Sequence, residues 1–267
     1  MIKENYIVKN IFIIIGKIGS PFTEFILSLG NITRLFINIL GSLLYTFKKI
    51  PLIIKELYFS GVRSIIIISV SGLFVGMVLG LQGYNTLQRF GSVSMLGSLV
   101  AISLLRELGP VLTAILFASR AGSGMTAEIG LMKATEQLEA MNVMAIDPVK
   151  YVITPKFLGG IISVPLLAAL FNICGIYGGY FVGVILLNMD SGTFWSQMHD
   201  SIIFHEDVFN GIIKSFIFGI TVNLISVYQG FVAKPTAEGV SSATTKTVVN
   251  SALSVLALDY VLTALMF

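Results

Sequence analysis

The sequence predicts an all-α integral membrane protein, with an amphipathic helix at the membrane interface near the N-terminus followed by five transmembrane helices. Two observations carry this prediction. Of the 267 residues, 55% are hydrophobic and only 12% are charged, whereas a soluble domain has about 25% charged residues. Several apolar runs also reach the length of about 18 residues that is typical of a membrane-crossing helix. The net charge of +3 is too small to suggest a nucleic-acid partner.

Residues 22–49 are the predicted interfacial helix. Apolar and polar residues each recur at steps of three and four, so one side of the helix is apolar and the other is polar. The apolar series is Phe22, Phe25, Ile26, Leu29, Ile32, Phe36, Ile39, Leu40, Leu43 and Phe47, and the polar series includes Asn31, Arg34, Asn38 and Ser42. This pattern is typical of a helix that lies along a membrane. The alternative is a first span with Glu24 and Arg34 buried, at a cost of about 2.5–3.5 kcal/mol for each charge.

Five spans follow in a single domain that occupies residues 1–267. They are predicted at residues 64–81, 95–119, 157–187, 208–233 and 247–267. The first contains Gly72, Gly76 and Gly80, a spacing that lets another helix approach closely. The third is too long to cross straight, so we expect it to tilt, or to bend near Pro165 or near the glycines at 175, 178 and 179.

The distribution of Lys and Arg predicts that the N-terminus is cytoplasmic and the C-terminus is outside. Eight of these residues precede the first span, and the segments between spans two and three and between spans four and five carry more of them. The opposite side has only Arg89. Residues 1–63 are therefore cytoplasmic or interfacial, and residues 121–156 form a cytoplasmic segment. The N-terminal apolar stretch is interrupted by Lys17 and lacks a small-residue cleavage site, so we expect no removable signal peptide.

The sequence lacks the usual marks of an enzyme or of an ATP-binding protein. It has no G-x-S-x-G, no H-E-x-x-H and no Gly-Lys-Ser/Thr, so no phosphate-binding loop of that kind is present. The glycine-rich residues 121–130 are interpreted as a tight helix end at the cytoplasmic surface. Cys174 is alone, which excludes an internal disulfide. His199 and His205, with Asp200, Glu206 and Asp207 nearby, fit no metal-ligand spacing and are interpreted as solvated residues of an external loop.

A short helix is predicted within residues 135–148, in the cytoplasmic segment. Thr135 would cap it, and Glu136 and Glu139 would complement the positive end of its dipole. Its small apolar face would comprise Leu138, Met141 and either Met144 or Ala145. Two interpretations remain open: a plain surface connector, or a helix that docks in a groove of another protein.

Four charged residues fall inside predicted spans: Arg106, Glu107, Lys214 and Asp259. Lys214 and Asp259 lie at similar depths from the outer ends of spans four and five, so we expect a structural ion pair between them. Arg106 and Glu107 are adjacent and diverge by about 100° on a helix, so they cannot neutralise each other. Pro110 has no N–H and leaves the Arg106 carbonyl without its helical donor. This combination suits a cavity for a ligand with a polar head, although charges buried for packing are the alternative.

The stretch LLRELGPVLTAILFASRAGSGMTAEIGLMKATEQLEAMNVMAIDP, residues 104–148, resembles the signature region of MlaE/YrbE-type permeases. The similarity extends to SGLFVGMVLGLQGY at 71–84, to DSGTFWSQM at 190–198 and to the C-terminal residues 234–267. Members of this family are membrane subunits of ABC transporters that move phospholipids between the inner and outer membranes of Gram-negative bacteria and so maintain outer-membrane lipid asymmetry.

The resemblance implies a multi-pass protein of the bacterial inner membrane, with a periplasmic C-terminus, that pairs as a homodimer around a phospholipid cavity. Arg106 and Glu107 would line that cavity, and Leu79 and Leu108 would contact acyl chains. A cytoplasmic ABC ATPase dimer would dock on a coupling helix at 135–143, which includes Thr135, Glu136, Gln137, Leu138, Glu139 and Met141. A STAS-domain subunit would bind the ATPases, and a periplasmic MCE-domain hexamer would cover the cavity. The chain itself would bind no cofactor or metal and would not be an enzyme, since the partner uses the ATP.

Two rival functions remain at this point. A self-contained secondary carrier would use Arg106, Glu107 and Asp259 as a proton or ion relay, although the sequence shows no internal repeat. A membrane-embedded enzyme is weakened by the lack of a nucleophile–base pair.

Overall fold

A computed structural model describes residues 26–266, and this part of the chain is helical without any strand. It forms eleven α-helices: α1 Ile26–Phe47, α2 Ile50–Ser60, α3 Ile65–Arg89, α4 Leu96–Ser103, α5 Gly109–Phe117, α6 Ser123–Ala134, α7 Gln137–Val143, α8 Thr154–Tyr180, α9 Ser191–Ser201, α10 Phe209–Val232 and α11 Ala237–Met266. Turns of π-helix continue several of them, at Leu104–Leu108, Ala118–Gly122, Val149–Ile153, Phe181–Leu186 and Phe204–Val208. The predicted all-α class is confirmed for these residues.

Six helical segments of the described chain are long and apolar enough to cross a membrane. They are Ile26–Phe47, Ile50–Arg89, Val93–Ala134, Val149–Leu186, Phe204–Val232 and Ala237–Met266. Each of the five predicted spans lies within one of the last five of these segments or extends at most one residue beyond it. The extra candidate is α1, which the sequence analysis assigned to the interface. Its interfacial position stays a prediction, as does the orientation of the two termini.

One side of α1 packs against the rest of the protein. Leu35 and Ile39 are buried there, in a core that also contains Phe157 and Val227. Ser42, which the sequence analysis placed on the polar side, is buried as well, and its hydroxyl donates to the Asn38 carbonyl. The buried side of α1 therefore does not coincide with the whole of the predicted apolar series. The predicted residues Phe22, Glu24 and Phe25 lie outside the described part, and so does the predicted absence of a signal peptide.

The glycines of the first predicted span bring α3 into backbone contact with α8. A Cβ atom on Gly76 would lie 1.8 Å from the Gly175 carbonyl oxygen, and one on Gly72 would lie 2.7 Å from that of Phe171. A third contact of this kind joins Gly80 to Gly179 at 3.0 Å. The close approach expected from the glycine spacing is therefore present, and the partner is α8, which also packs on α2, α5 and α10.

The glycine-rich residues 121–130 do not end a helix, so that prediction is wrong. They continue the helical segment Val93–Ala134 without a break. Their small size serves packing instead. A Cβ on Gly122 would lie 2.8 Å from the Ser226 hydroxyl on α10, and one on Gly130 would lie 3.1 Å from the Val240 side chain on α11. The small residues let α10 and α11 pack closely on this segment.

The segment between α8 and α10, which the sequence analysis interpreted as an external loop, is not a plain loop. It contains α9, whose first turn is capped by the Asp190 carboxylate, which accepts hydrogen bonds from the Thr193 N–H at 2.7 Å and hydroxyl at 2.8 Å. These hydrogen bonds lower the pKa of Asp190 below its ordinary value. Phe194 anchors α9 because its side chain is buried in the main core.

Candidate functional site in the apolar core

The candidate site begins at a π-helical turn in the middle of an apolar segment. Leu104–Leu108 adopts this geometry immediately before α5, which has Pro110 in its first turn. Pro110 cannot donate to the Arg106 carbonyl, and Lys214 Nζ donates to that oxygen instead, at 3.1 Å. A lysine from α10 thus donates to a carbonyl to which the proline cannot donate.

Lys214 also joins two other helices at this point. Its side chain is fully buried, and Nζ lies 3.3 Å from Asp259 Oδ1 on α11, so the structure brings the two residues of the predicted ion pair together. The same Nζ lies 3.1 Å from Glu107 Oε1 and 2.7 Å from the Thr263 hydroxyl. Thr263 in turn donates to Glu107 at 3.1 Å. The lysine therefore faces two carboxylates, which the sequence analysis did not foresee.

Arg106 contacts Asp207, whereas Glu107 contacts Lys214. Arg106 Nε donates to Asp207 Oδ1, and the other oxygen of Asp207 accepts from the Ile203 N–H at 2.8 Å. The Asp207 side chain is 0% exposed, so the interpretation of Asp207 as a solvated loop residue is wrong. A buried carboxylate of this kind is retained because its charge is paired and both oxygens are hydrogen-bonded.

The two histidines take no part in this arrangement. The His199 side chain is 90% exposed and lies 3.6 Å from that of Asp200, while His205 packs on the Phe209 ring. Within residues 26–266 no group of three or more His, Cys, Asp or Glu residues could hold a metal ion.

We call Arg106, Glu107, Asp207, Lys214 and Asp259 the charge cluster. The ion pairs of the charge cluster join groups of this chain to one another. The Arg106 and Glu107 side chains nevertheless remain 31% and 35% exposed. A polar spot therefore reaches the outer surface of this chain within an apolar segment. Leu79 and Leu108 are half-buried and pack against the main core, and their role as acyl-chain contacts stays a prediction.

The helical spacing contains a sequence signal for the two residues that the sequence analysis missed, Asp207 and Thr263. Asp207 and Lys214 are seven residues apart, and Asp259 and Thr263 are four apart, so each pair lies on one helix face. Two such faces, one on the segment Phe204–Val232 and one on α11, contact the adjacent residues Arg106 and Glu107. The spacing predicts a shared side, but only the tertiary structure selects the partners.

The short helix of the predicted coupling segment is α7. Thr135 does not cap it, because its hydroxyl donates to the Leu131 carbonyl and so belongs to the end of α6. Glu136 precedes α7 with a positive φ of 59° and no side-chain cap. Leu138 is buried in the core near α1, so it anchors the helix rather than docking to a partner. Val143 and Met144 are instead the exposed apolar residues, and Gln137, Glu139 and the half-buried Met141 complete the segment.

Comparison with known proteins matches nearly the whole chain. A family model for the permease MlaE matches residues 53–265. The intermembrane phospholipid transport system permease protein MlaE of Haemophilus influenzae is 50% identical over 253 residues, which cover 95% of this chain and 97% of the relative. A probable ABC transporter permease protein of Rickettsia felis is 35% identical, covering 95% and 98%, and one of Synechocystis is 32% identical, covering 80% and 81%. The chain belongs to the MlaE permease family.

Proposed function

We propose that this chain is the membrane permease of an ABC transporter that moves phospholipids between the inner and outer membranes and so maintains outer-membrane lipid asymmetry. The observation that carries the proposal is the charge cluster, because Arg106 and Glu107 are partly exposed where the surrounding helix is apolar. Charged groups at such a depth mark a substrate path rather than a lipid-facing surface. The name of the Haemophilus relative supplies the cargo, since it is a phospholipid transport permease.

The two exposed charges suit the headgroup of a phospholipid. The Arg106 guanidinium is a strong partner for a phosphate, and the Glu107 carboxylate complements the amine of a zwitterionic headgroup. Leu79 and Leu108 would contact the acyl chains. The phosphate would compete with Asp207 for Arg106, so binding can be reversible, as transport requires.

A second copy of the chain would cover the exposed side of the charge cluster and complete the lipid cavity. The homodimer lies in the bacterial inner membrane. Its N-termini are in the cytoplasm and its C-termini in the periplasm, as the Lys and Arg distribution favours. The helix α1 would lie at the cytoplasmic interface.

The energy source would be a separate ABC ATPase dimer that docks on α7, with a STAS-domain subunit bound to it and a periplasmic MCE-domain hexamer at the opposite end. This chain would bind no cofactor and would not hydrolyse ATP, in keeping with the missing phosphate-binding loop. The rival interpretation as a self-contained secondary carrier predicts transport without an ATPase. The names of the relatives in Rickettsia and Synechocystis, both probable ABC transporter permeases, favour the ATP-driven transporter.

The test is purification from the native host in mild detergent. We expect an ATPase and an MCE-domain protein to co-purify, phospholipid to stimulate ATP turnover, and Arg106→Glu to reduce crosslinking to a photoactivatable phospholipid at least tenfold. Arg89→Glu is the matched control, because Arg89 is exposed at the end of α3. Phospholipid transport by the purified chain without an ATPase, or unchanged lipid crosslinking in Arg106→Glu, would contradict the proposal.

A further inference from the structure

The charge cluster contains more carboxylates than cations. Two positive charges, on Arg106 and Lys214, face three carboxylates, on Glu107, Asp207 and Asp259. Arg106 and Asp207 balance each other, which leaves Lys214 between two carboxylates. If every group were ionised, the cluster would carry one excess negative charge inside an apolar segment, where such a charge is costly.

The hydrogen bonds around Lys214 tie both carboxylates to one ammonium group. An ammonium group has three N–H donors, but four acceptors lie within 3.3 Å of Nζ: Arg106 O, Glu107 Oε1, Asp259 Oδ1 and Thr263 Oγ1. The single hydroxyl proton of Thr263 points to Glu107. These four donor protons match the four acceptors, but the excess negative charge remains, and one added proton would remove it.

The two carboxyl groups are positioned to hold that proton together. Both contact the same ammonium group, since Glu107 Oε1 lies 3.1 Å and Asp259 Oδ1 lies 3.3 Å from Lys214 Nζ. Ionisation of both is costly when they are held this near each other, whereas a protonated carboxyl group can donate to an ionised one. Paired carboxyl groups that share one proton are a well-defined arrangement in proteins, since both cannot ionise at short range.

Charged residues elsewhere on the surrounding elements lie far along the chain from this point. The segment from Phe157 to Tyr180 of α8 is uncharged, and α3 has only Arg89 at its end. Lys214 is the single charged residue of α10, and the other charges of α11, Glu238 and Lys246, lie at the opposite end of that helix. In the turn that carries Asp207, the neighbouring His205 and Glu206 are exposed.

We propose that Glu107 and Asp259, which both contact Lys214, share one proton in the resting permease, so that the charge cluster has no net charge. The proton comes from water and makes no covalent change other than protonation of one carboxylate. The cluster is thereby a proton-binding site, and it is one whether or not phospholipid is the cargo.

Infrared spectroscopy of the purified chain in lipid nanodiscs at pH 7 tests this directly. We expect the carbonyl stretch of a protonated carboxylic acid, identified by its shift in deuterated water. Glu107→Gln and Asp259→Asn should each abolish this band, because in either variant the remaining carboxylate forms a simple ion pair with Lys214. Glu206→Gln, which changes an exposed carboxylate beside Asp207, should leave the band in place.

A measurement on the unsubstituted chain covers the case in which a variant fails to fold. Labelling all aspartate carboxyls with ¹³C, or all glutamate carboxyls in a second sample, should shift part of the band each time. The proposal is overturned if the wild-type protein shows no such band at pH 7, if the band survives in either folded single variant, or if only one of the two labels shifts it.

Discussion

Lys214 shows how a charged residue is accommodated at a fully buried position in an apolar span. Its ammonium group donates to the Arg106 carbonyl, to which Pro110 cannot donate, and it also binds side chains from two other helical segments. A buried charge is tolerated only when it is both paired and hydrogen-bonded. The residue therefore acts as a joint between α10, α11 and the π-helical turn at Leu104–Leu108.

Replacing this joint should destabilise the protein strongly. We expect Lys214→Met to cost about 3–5 kcal/mol, because Glu107 and Asp259 would lose their common cation and the Arg106 carbonyl would lose its hydrogen bond from Lys214. The measurement is thermal unfolding of the purified variant in detergent, where a marked fall in Tm is expected. Lys246→Met is the control, since Lys246 is exposed on α11. Equal Tm values for the two variants would refute the structural role of Lys214.

Asp207 should contribute nearly as much to stability as Lys214, although it lies at the edge of a segment rich in exposed acidic residues. Removing a buried carboxylate leaves the Arg106 guanidinium without this partner and the Ile203 N–H without its acceptor. Because Arg106 is partly exposed to solvent, we expect Asp207→Ala to cost about 3 kcal/mol, the low end for a broken buried pair. Comparing its unfolding temperature with that of Asp200→Ala, which changes a largely exposed aspartate, separates the pair from a general charge effect. The expectation fails if both variants unfold at the same temperature.

At the scale of elements, α3 and α8 are held together by backbone contact rather than by large side chains. This is the packing that membrane helices use, because lipid offers no hydrophobic driving force between them and close approach is needed for dispersion and weak hydrogen bonds. The glycine spacing in α3 could be recognised from the sequence. The identity of the partner helix could not, because glycines at 175, 178 and 179 are equally compatible with a bend.

The tightest point of this contact offers a clean test. Gly76→Ala would place a methyl group 1.8 Å from the Gly175 carbonyl oxygen, so the helices would have to separate. We expect a loss of stability at or above the ~1–3 kcal/mol typical of overpacking, seen as a lower Tm or as loss of monodisperse protein. Gly41→Ala on α1 adds the same methyl group where nothing lies within 4 Å, and it should be neutral. Similar behaviour of the two variants would contradict the close packing of α3 on α8.

The cap of α9 predicts a pH dependence outside the membrane-spanning segments. Folding lowers the pKa of Asp190 because the ionised carboxylate accepts hydrogen bonds from Thr193. The stabilisation is therefore fully present above the ordinary aspartate value of about 3.9 and is lost as the pH falls through the lower folded value. Amide exchange in the first turn of α9, corrected for intrinsic rates, should accelerate over that acidic range.

Asp190→Ala should show accelerated exchange at neutral pH as well, because alanine cannot cap the helix. Asp200→Ala, at the other end of α9, should exchange like the unsubstituted protein in the first turn. If the Asp190→Ala and Asp200→Ala variants exchange alike there, the cap is unimportant.

For the whole molecule, the features that depend on local sequence were predictable and those that depend on tertiary contact were not. Apolar length predicted five of the six helical segments that are long enough to cross a membrane, and charge in an apolar run singled out residues 106, 107, 214 and 259. The burial of Asp207 escaped prediction because its partner, Arg106, is about 100 residues away in the chain. Leu138 was assigned to a docking face because its helix is short and amphipathic, but the core near α1 provides a better place for it.

The corrected orientation of α7 changes which residues should contact an ATPase. Leu138 holds the helix to the protein, so the free apolar surface consists of Val143 and Met144, which are 88% and 62% exposed. If α7 is the docking helix, Val143→Glu and Met144→Glu should each weaken ATPase co-purification by roughly tenfold, since burying one unpaired carboxylate in an apolar contact costs at least the 1.4 kcal/mol of that factor. Ser241→Glu adds a carboxylate at an exposed position near the start of α11 and should leave the yield of ATPase unchanged. Full ATPase recovery with both α7 variants would place the docking surface elsewhere, whereas a loss confined to these two would assign it to the end of α7.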